Sequence, residues 1–193
     1  MLDGTLRLVL IYGSIREGRF CDRVAAWALG EIERHGGFAV DVVDPRAMGL
    51  PAWHQEAETP VLAALRQRLD RADAFVVVTP EHNHGYPAAL KYVIDAAYRE
   101  WRAKPVGFVS YGGPAGGVRA VEQLRQVFAE LHAVTMRDAV AFANPWDRFD
   151  AAGGLFEPEV PRKAMATMLA HLSWWGRALG EARRATPYAE RAA

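Results

Sequence analysis

Residues 74–95 read AFVVVTPEHNHGYPAALKYVID: an apolar run, a polar loop and a helical pattern in succession. The first seven residues are almost all apolar, as expected of a central parallel strand that is covered on both faces. Pro80 ends this strand because proline has no backbone donor, and Pro87 suits the first turn of the helix that follows. The stretch therefore predicts one strand–loop–helix unit of an α/β fold.

The same unit recurs along the chain. Predicted strands occupy residues 6–13, 38–44, 74–80, 104–112 and 135–143, and predicted helices occupy 20–35, 60–70, 87–101, 117–131 and 159–182. Five strands that alternate with five helices predict a doubly wound α/β fold, with a five-stranded parallel sheet and helices on both faces. The long irregular stretch 44–59 is a candidate lid or interface.

Composition narrows the class of protein. The 193 residues suit one compact domain, which we place at 1–185, followed by a flexible C-terminal tail at 186–193. Lys plus Arg and Asp plus Glu number 23 each, and this balance indicates neither a nucleic-acid partner nor an anionic membrane surface. Cys21 is the only cysteine, so an intrachain disulfide is excluded. Because the sequence shows no signal-peptide pattern and no long apolar run, we expect a cytoplasmic protein.

Three loops follow the predicted strands at their carboxyl ends, where open α/β sheets bind ligands. They are GSIREGRF (13–20), TPEHNHGYP (79–87) and SYGGPAGG (110–117). In the first loop, Gly13 permits a tight turn, Ser14 supplies a hydroxyl and Arg16 supplies a fixed positive charge beside a helix N-terminus. This set fits a phosphate monoester, although an ordinary turn with an exposed arginine has the same composition.

The second loop has three interpretations. The N–H groups of residues 81–83 are expected to face a ligand after Pro80 ends the strand, and Asn83 can hydrogen-bond a heterocycle. A metal site at His82 and His84 lacks a third ligand at useful spacing. An acid/base pair of Glu81 and His82 is disfavoured because adjacent side chains on an extended segment point apart.

The third loop adds bare backbone beside the same sheet edge. Tyr111 can stack on or wall a flat ring, and Gly112 and Gly113 let main-chain N–H groups approach carbonyl oxygens. Together, the three loops have the parts needed for a phosphate, a flat heterocycle and the polar edge of that heterocycle. This is the shape of a flavin mononucleotide site.

These motifs occur in the order and context of one known family. On GSIREGRF, TPEHNHGYPAALKYVID and VSYGGPAGGVRAVEQLR, with RDAVAFANPWDRFD at 137–150, the chain resembles the NADPH-dependent FMN reductase family. The resemblance implies the flavodoxin-like fold, a three-layer sandwich. It also implies bound FMN, NADPH or NADH as co-substrate, and a homodimer or homotetramer.

The resemblance also assigns roles to residues. It implies Ser14 and Arg16 as phosphate ligands, with the third phosphate donor at Arg19 or the backbone around Phe20, where many members carry Ser or Asn. The loop beside the flavin ring matches Pro80, Glu81, His82 and Asn83, with His82 in place of the commoner tyrosine. The pyrimidine side of the ring matches Ser110, Gly112 and Gly113, with Tyr111 beside them.

The function that follows is FMN-dependent NAD(P)H oxidation. The resemblance implies that hydride passes from the nicotinamide to N5 of FMN and then to an acceptor such as a quinone, an azo compound, free flavin or a metal oxyanion, and we expect ping-pong behaviour. The cofactor carries this chemistry, so we assign no catalytic residue and no metal site. Two alternatives stay open: a flavodoxin-type electron carrier without a nucleotide substrate, and a flavin-free hydrolase or transferase that uses Glu81.

Aromatic residues in the long loop and near the predicted strand and helix ends fit an oligomer interface, and each of them equally fits the core of the domain. They are Trp53, Tyr98, Trp101, Trp146 and Phe149.

Overall fold

A computed structural model describes residues 4–51 and 57–188 of the chain. One parallel sheet of five strands lies at its centre, in the order β2-β1-β3-β4-β5. The strands are β1 (Leu6–Tyr12), β2 (Phe38–Val43), β3 (Ala74–Pro80), β4 (Pro105–Gly112) and β5 (Val134–Ala143). This order is that of the flavodoxin-like fold, and it confirms the predicted fold class.

Helices cover both faces of the sheet. They are α1 (Cys21–His35), α2 (Pro45–Met48), α3 (Pro60–Arg71), α4 (Ala88–Asp95), α5 (Val118–Glu130) and α6 (Glu159–Ala185). Helices α1 and α6 pack on one face, and α3, α4 and α5 pack on the other. Within the described ranges, none of these helices has the length and apolar character needed to cross a membrane.

The core consists of two apolar layers separated by the sheet. Along β1, Val9 and Ile11 face the layer of α3, α4 and α5, whereas Leu8 and Leu10 face the layer of α1 and α6. Successive side chains of a strand point to opposite faces of the sheet, so a strand that is apolar throughout is buried on both faces. Every residue of β3 and β4 is buried, which holds the carboxyl ends of both strands in fixed positions.

The predicted helix at 87–101 is shorter in the structure. Helix α4 ends at Asp95, and a single 3₁₀ turn follows at Arg99–Trp101. The indole Nε1 of Trp101 donates to the carbonyl oxygens of Ile94 and Ala97, at 3.1 and 3.2 Å. These carbonyls would otherwise accept N–H groups of a continuing helix, so the buried indole ends α4.

The stretch 44–59, predicted to be irregular, contains the short helix α2. The Asp44 carboxylate caps this helix by accepting the Arg46 N–H at 3.0 Å. Residues 52–56, which include Trp53, lie outside the described residues, so the lid or interface role of this stretch stays a prediction.

The ends of the predicted domain differ slightly from the structure. Helix α6 continues three residues beyond its predicted end, to Ala185. Tyr188 lies in the predicted tail, and its hydroxyl is 2.8 Å from Nδ1 of His132. Residues 189–193 lie outside the described part of the chain, and the domain boundary at residue 185 stays a prediction.

The aromatic residues predicted to fit either an interface or the core divide into two groups. Trp101 and Phe149 are buried in the core of this chain, whereas Tyr98 and Trp146 are exposed. Trp101 packs against Phe75 with ring centroids 4.7 Å apart. Of the four that the structure describes, Tyr98 and Trp146 therefore expose aromatic surface to solvent.

Candidate functional site

The loops after β1, β3 and β4 meet at the carboxyl edge of the sheet. Pro80 is in register with Tyr111, and β1 pairs with β3 on its other side. The chain passes from β1 to β2 and then back beyond β1 to β3, and such a reversal leaves a crevice at the strand ends. Partial burial lowers the pKa of His82, and the positive charge of Arg16 lowers it further. The first and second loops are therefore within electrostatic reach of each other.

The first loop begins with a close approach of backbones. A Cβ at Gly13 would lie 2.8 Å from the Val78 carbonyl oxygen, so glycine is required where the chain leaves β1. The Gly13 N–H donates to that same oxygen at 2.7 Å. Ser14 follows with 2% of its surface exposed, and its hydroxyl oxygen accepts the Arg16 N–H at 3.4 Å. The predicted phosphate residue Ser14 is thus held by the loop itself.

Arg16 provides a cation that no residue in the described part of the chain neutralises. Its guanidinium is exposed and makes no hydrogen bond or ion pair with any residue in 4–51 or 57–188. Nearby, the N–H groups of Ile15, Glu17 and Gly18 have no acceptor among those same residues. Helix α1 begins just after this loop without a side-chain cap. Free amides, a helix N-terminus and an unpaired guanidinium together fit a phosphate group.

Arg19, the candidate third phosphate donor, has other partners. Its guanidinium binds Asp44 through two hydrogen bonds of 2.8 and 2.5 Å, and it donates to Asp22 and to the Ser14 carbonyl oxygen. The Arg19 side chain is only 6% exposed. Hydrogen bonding to Asp44 raises the pKa of Arg19 against the effect of burial. In this structure Arg19 connects the first loop to the end of β2, and its role as a phosphate ligand stays a prediction.

Phe20 packs between the first loop and the core. Its ring lies 6.2 Å from the Tyr111 ring and 5.7 Å from the Phe149 ring. Its carbonyl oxygen accepts the Val24 N–H in the first turn of α1. Phe20 therefore positions the helix N-terminus, and a direct backbone contact with a phosphate is still a prediction.

The second loop is a tight hairpin. His82 and Gly85 exchange two backbone hydrogen bonds of 2.9 and 3.1 Å, and Asn83 and His84 between them have φ of 49° and 73°. Two consecutive residues with positive φ form a type I′ turn, and asparagine tolerates this conformation well. Asn83 lies exposed at the tip of the hairpin.

The prediction that the N–H groups of residues 81–83 face a ligand is wrong for two of the three. The Glu81 N–H donates to the Tyr111 carbonyl oxygen at 3.0 Å, and the His82 N–H donates to Gly85. The reason is that Glu81 extends the pairing of β3 with β4 by one residue and the hairpin closes at His82. Only the Asn83 N–H has no acceptor within the described ranges.

A side-chain clamp holds this hairpin on α5, and the sequence analysis missed it. The Glu81 carboxylate is 2.6 Å from Nη2 of Arg119 and accepts the Arg119 N–H at 3.2 Å. Nη1 of Arg119 lies 3.1 Å from Nδ1 of His84, and the Gln123 amide donates to the His84 carbonyl oxygen at 3.0 Å. Glu81 is thus engaged by the protein, which argues against its use as a nucleophile or base.

The third loop is built around Ser110. The Ser110 hydroxyl is buried and donates to the Gly116 carbonyl oxygen at 2.8 Å. The Gly112 carbonyl oxygen accepts the Asn144 N–H at 2.8 Å. A Cβ at Gly113 would meet no atom within 4 Å, so the loop presents open backbone at that position. Ser110 and Gly112 shape the loop, and Gly113 faces free space.

The interpretation of Tyr111 as a wall for a flat ring is wrong in this structure. Tyr111 is 6% exposed and belongs to the core layer beneath α1 and α6. Alternation along β4 directs its side chain into this layer, where its ring lies 6.2 Å from that of Phe20. Burial raises the pKa of Tyr111, and the adjacent Cys21 contributes to the increase.

A broad groove of about 900 Å³ borders the first and second loops. Ile15 and Tyr86 connect it to these loops, and it continues along α4 to Lys91 and Asp95. Its lining is mainly apolar, with Pro45, Leu50 and Pro51 opposite α4. This volume is within the range of small-molecule sites. Among the residues that the structure describes, no group of three or more His, Cys, Asp or Glu side chains is arranged to hold a metal ion.

Comparison with known proteins agrees with this geometry. The model of the family described as NADPH-dependent FMN reductase matches residues 6–147. The NAD(P)H-dependent FMN reductase C4B3.06c of Schizosaccharomyces pombe is 36% identical over 170 residues, which are 83% of this chain and 83% of the relative. The NAD(P)H:quinone oxidoreductase of Solanum tuberosum is 32% identical over 179 residues, covering 86% and 90% of the two chains.

A solved structure shares the fold. FerB, a flavoenzyme NAD(P)H:(acceptor) oxidoreductase from Paracoccus denitrificans, superposes with a TM-score of 0.74 at 19% identity, covering 89% of this chain and 98% of FerB. The family model spans all three loops of the site, and the relatives cover most of the chain. The chain therefore belongs to the NADPH-dependent FMN reductase family.

Proposed function

We propose that this protein is an FMN-dependent NAD(P)H oxidoreductase whose acceptors include quinones. The observation that carries the proposal is that Arg16 and nearby loop amides have no partner among the described residues, at the sheet edge where Asn83 and Gly113 also lie. Family membership supports the nucleotide and the cofactor, and the name of the Solanum tuberosum relative supports the quinone class.

The residues of the site divide into ligands and supports. Ser14, Arg16 and the amides of the first loop would hold the phosphate of FMN. Asn83 and the Gly113 backbone would bind the polar edge of the ring. When bound, FMN supplies a ring that accepts a hydride from the nicotinamide and passes its electrons to the acceptor.

The groove along α4 is the proposed entry for both substrates. Ile15 and Tyr86 lie where it meets the loops, and its apolar lining suits a nicotinamide ring or a quinone. One groove that serves both molecules in turn predicts ping-pong kinetics. We also propose that the protein is a homodimer or homotetramer and that it is cytoplasmic. Further acceptors would be azo compounds, free flavin or metal oxyanions.

The test is an anaerobic titration of the FMN-loaded protein. Addition of NADPH or NADH is expected to bleach the flavin absorbance, and a benzoquinone added afterwards is expected to restore it. Parallel double-reciprocal plots at several quinone concentrations would support ping-pong kinetics. A flavin that neither nucleotide bleaches would contradict the enzyme and favour an electron carrier.

A further inference from the structure

A second concave site lies at the opposite, amino-terminal edge of the sheet. It has a volume of about 670 Å³ and lies where β3 and β4 begin. The residues that line it are Asp70, Arg71, Ala72, Asp73, Arg99, Arg102, Lys104, Arg183, Pro187 and Tyr188, and we call this set the basic basin. None of these residues belongs to the loops that form the proposed flavin site.

The basic basin concentrates positive charge in a chain whose net charge is zero. Five cationic side chains and two carboxylates line it, which leaves an excess of three positive charges. The cations are Arg71, Arg99, Arg102, Lys104 and Arg183.

Two of these cations are held by hydrogen bonds to backbone carbonyl oxygens. Nζ of Lys104 donates to the carbonyl oxygens of Leu69 and Asp70, at 2.9 and 2.7 Å, near the end of α3. The Arg183 guanidinium donates to the Ala103 carbonyl oxygen and lies 3.7 Å from Asp73. These two cations therefore have partners in the protein.

Arg71 and Arg99 are different. Both side chains are exposed at the basin, and neither guanidinium has a hydrogen bond or an ion pair within residues 4–51 and 57–188. Capping does not account for them, because neither contacts a carbonyl oxygen in those ranges. Their arrangement around a concave surface is that of groups which bind a multivalent anion.

The buried members of the basin increase the attraction for an anion. Lys104 is 5% exposed, and burial lowers its pKa to about 8. The charge of Arg183 acts in the same direction, while Asp70, Asp73 and Glu100 oppose it. An anion that enters the basin would favour the charged form of Lys104, so its binding would be coupled to proton uptake.

We propose that the basic basin binds a small polyphosphate, either an inorganic chain or the di- or triphosphate group of a nucleotide. Two or more adjacent phosphates match the separate guanidinium groups better than one monovalent anion does. The exposed Tyr188 at the rim offers a surface on which a nucleotide base can stack. This site is independent of the flavin chemistry.

The experiment is isothermal titration of the FMN-saturated protein with inorganic tripolyphosphate and with ATP, at pH 7 and constant ionic strength. Saturation with FMN keeps the proposed phosphate site at Arg16 filled. We expect one polyphosphate to bind per chain, and an Arg71→Gln/Arg99→Gln double variant to bind about tenfold or more weakly. Arg137→Gln removes a side chain that is 95% exposed on β5 and is the matched control, with unchanged affinity.

The pH dependence supplies a second readout. Lys104 faces Asp70, Asp73, Glu100 and Arg183, and it loses its proton between pH 7 and 9, so the affinity for ATP should fall over this range. Tighter binding of ATP than of tripolyphosphate would identify a nucleotide as the source of the phosphates, and the reverse would identify an inorganic chain. Three results would overturn the proposal. They are no saturable binding at millimolar ligand, a double variant that binds polyphosphate as tightly as the wild type does, or sulfate that binds as tightly as polyphosphate. Circular dichroism of the double variant checks that it folds.

Discussion

Removing the clamp between Glu81 and Arg119 should weaken FMN binding, although neither side chain needs to contact the flavin. The Glu81 side chain is 7% exposed, and its carboxylate receives both the Arg119 guanidinium and the Arg119 N–H. The substitutions are Glu81→Gln and Arg119→Gln, singly and together. Each removes the ion pair, and each releases the hairpin that carries Asn83.

The magnitude follows from burial and charge. A hydrogen bond to a charged group contributes about 1.5–3 kcal/mol to stability. Arg119 is 43% exposed, so water replaces part of the interaction, and we take about 2 kcal/mol for the pair. In the variants, FMN must order the released hairpin when it binds, and this ordering costs the same free energy. A cost of about 2 kcal/mol corresponds to a rise in the Kd for FMN of about 30-fold.

The assay is quenching of FMN fluorescence by the apoprotein, with thermal unfolding of each apoprotein measured in parallel. All three variants should show a similar rise in Kd, because the two residues act as one unit. Glu122→Gln is the control, since it removes an ion pair on the same helix whose carboxylate is 70% exposed. Normal FMN affinity in both single variants would refute the clamp, and an effect of Glu81→Gln alone would indicate a direct flavin contact instead.

Three further predictions concern the first loop and α1. Arg16→Gln should raise the Kd for FMN about tenfold in the same titration, since a bound phosphate loses its charged partner, while the thermal midpoint stays near that of the wild type. Asp44→Asn should destabilise the protein by about 2 kcal/mol in urea unfolding, because the 6% exposed Arg19 loses two charge-assisted hydrogen bonds and keeps only the more exposed Asp22 carboxylate among the described residues. Burial opposes ionisation of Asp44, but hydrogen bonds from Arg19 and Arg46 outweigh it and lower its pKa, so this stabilisation is present above about pH 4 and is lost on further acidification. A wild type that unfolds at the same urea concentration as the variant at pH 7 would contradict this assignment. Cys21 is fully buried and its pKa is raised to about 11, so iodoacetamide at pH 8 should alkylate it only after unfolding, as mass spectrometry would show.

The sequence predicts the sheet and its layers well because each signal is local. The apolar runs of β1, β3 and β4 are continuous, and parallel strands buried on both faces need that composition. Ser14 and Arg16 are also predictable, since a glycine turn before a helix places them beside free amides.

The features that were missed depend on residues far apart in the chain. Arg19 pairs with Asp44, 25 residues away, and Glu81 pairs with Arg119, 38 residues away. A single sequence does not indicate which carboxylate a given arginine will meet. Trp101 ends α4 through its side chain, and helical periodicity carries no signal for that contact.

The hairpin at 82–85 could have been anticipated in part. Asn83 is a residue that tolerates positive φ, and Gly85 follows two positions later. A closed turn from His82 to Gly85 would have shown that the His82 N–H is engaged. Tyr111 was misplaced because its neighbours are glycines on a loop, whereas the alternation of β4 turns its ring into the core.

The most direct test of the proposed site is a crystal structure of the protein with FMN. The account predicts that the phosphate lies within hydrogen-bond distance of Ser14, the Arg16 guanidinium and the first-loop amides, with the ring between Asn83 and Gly113. A flavin bound elsewhere, or a phosphate with no contact to Arg16, would contradict it.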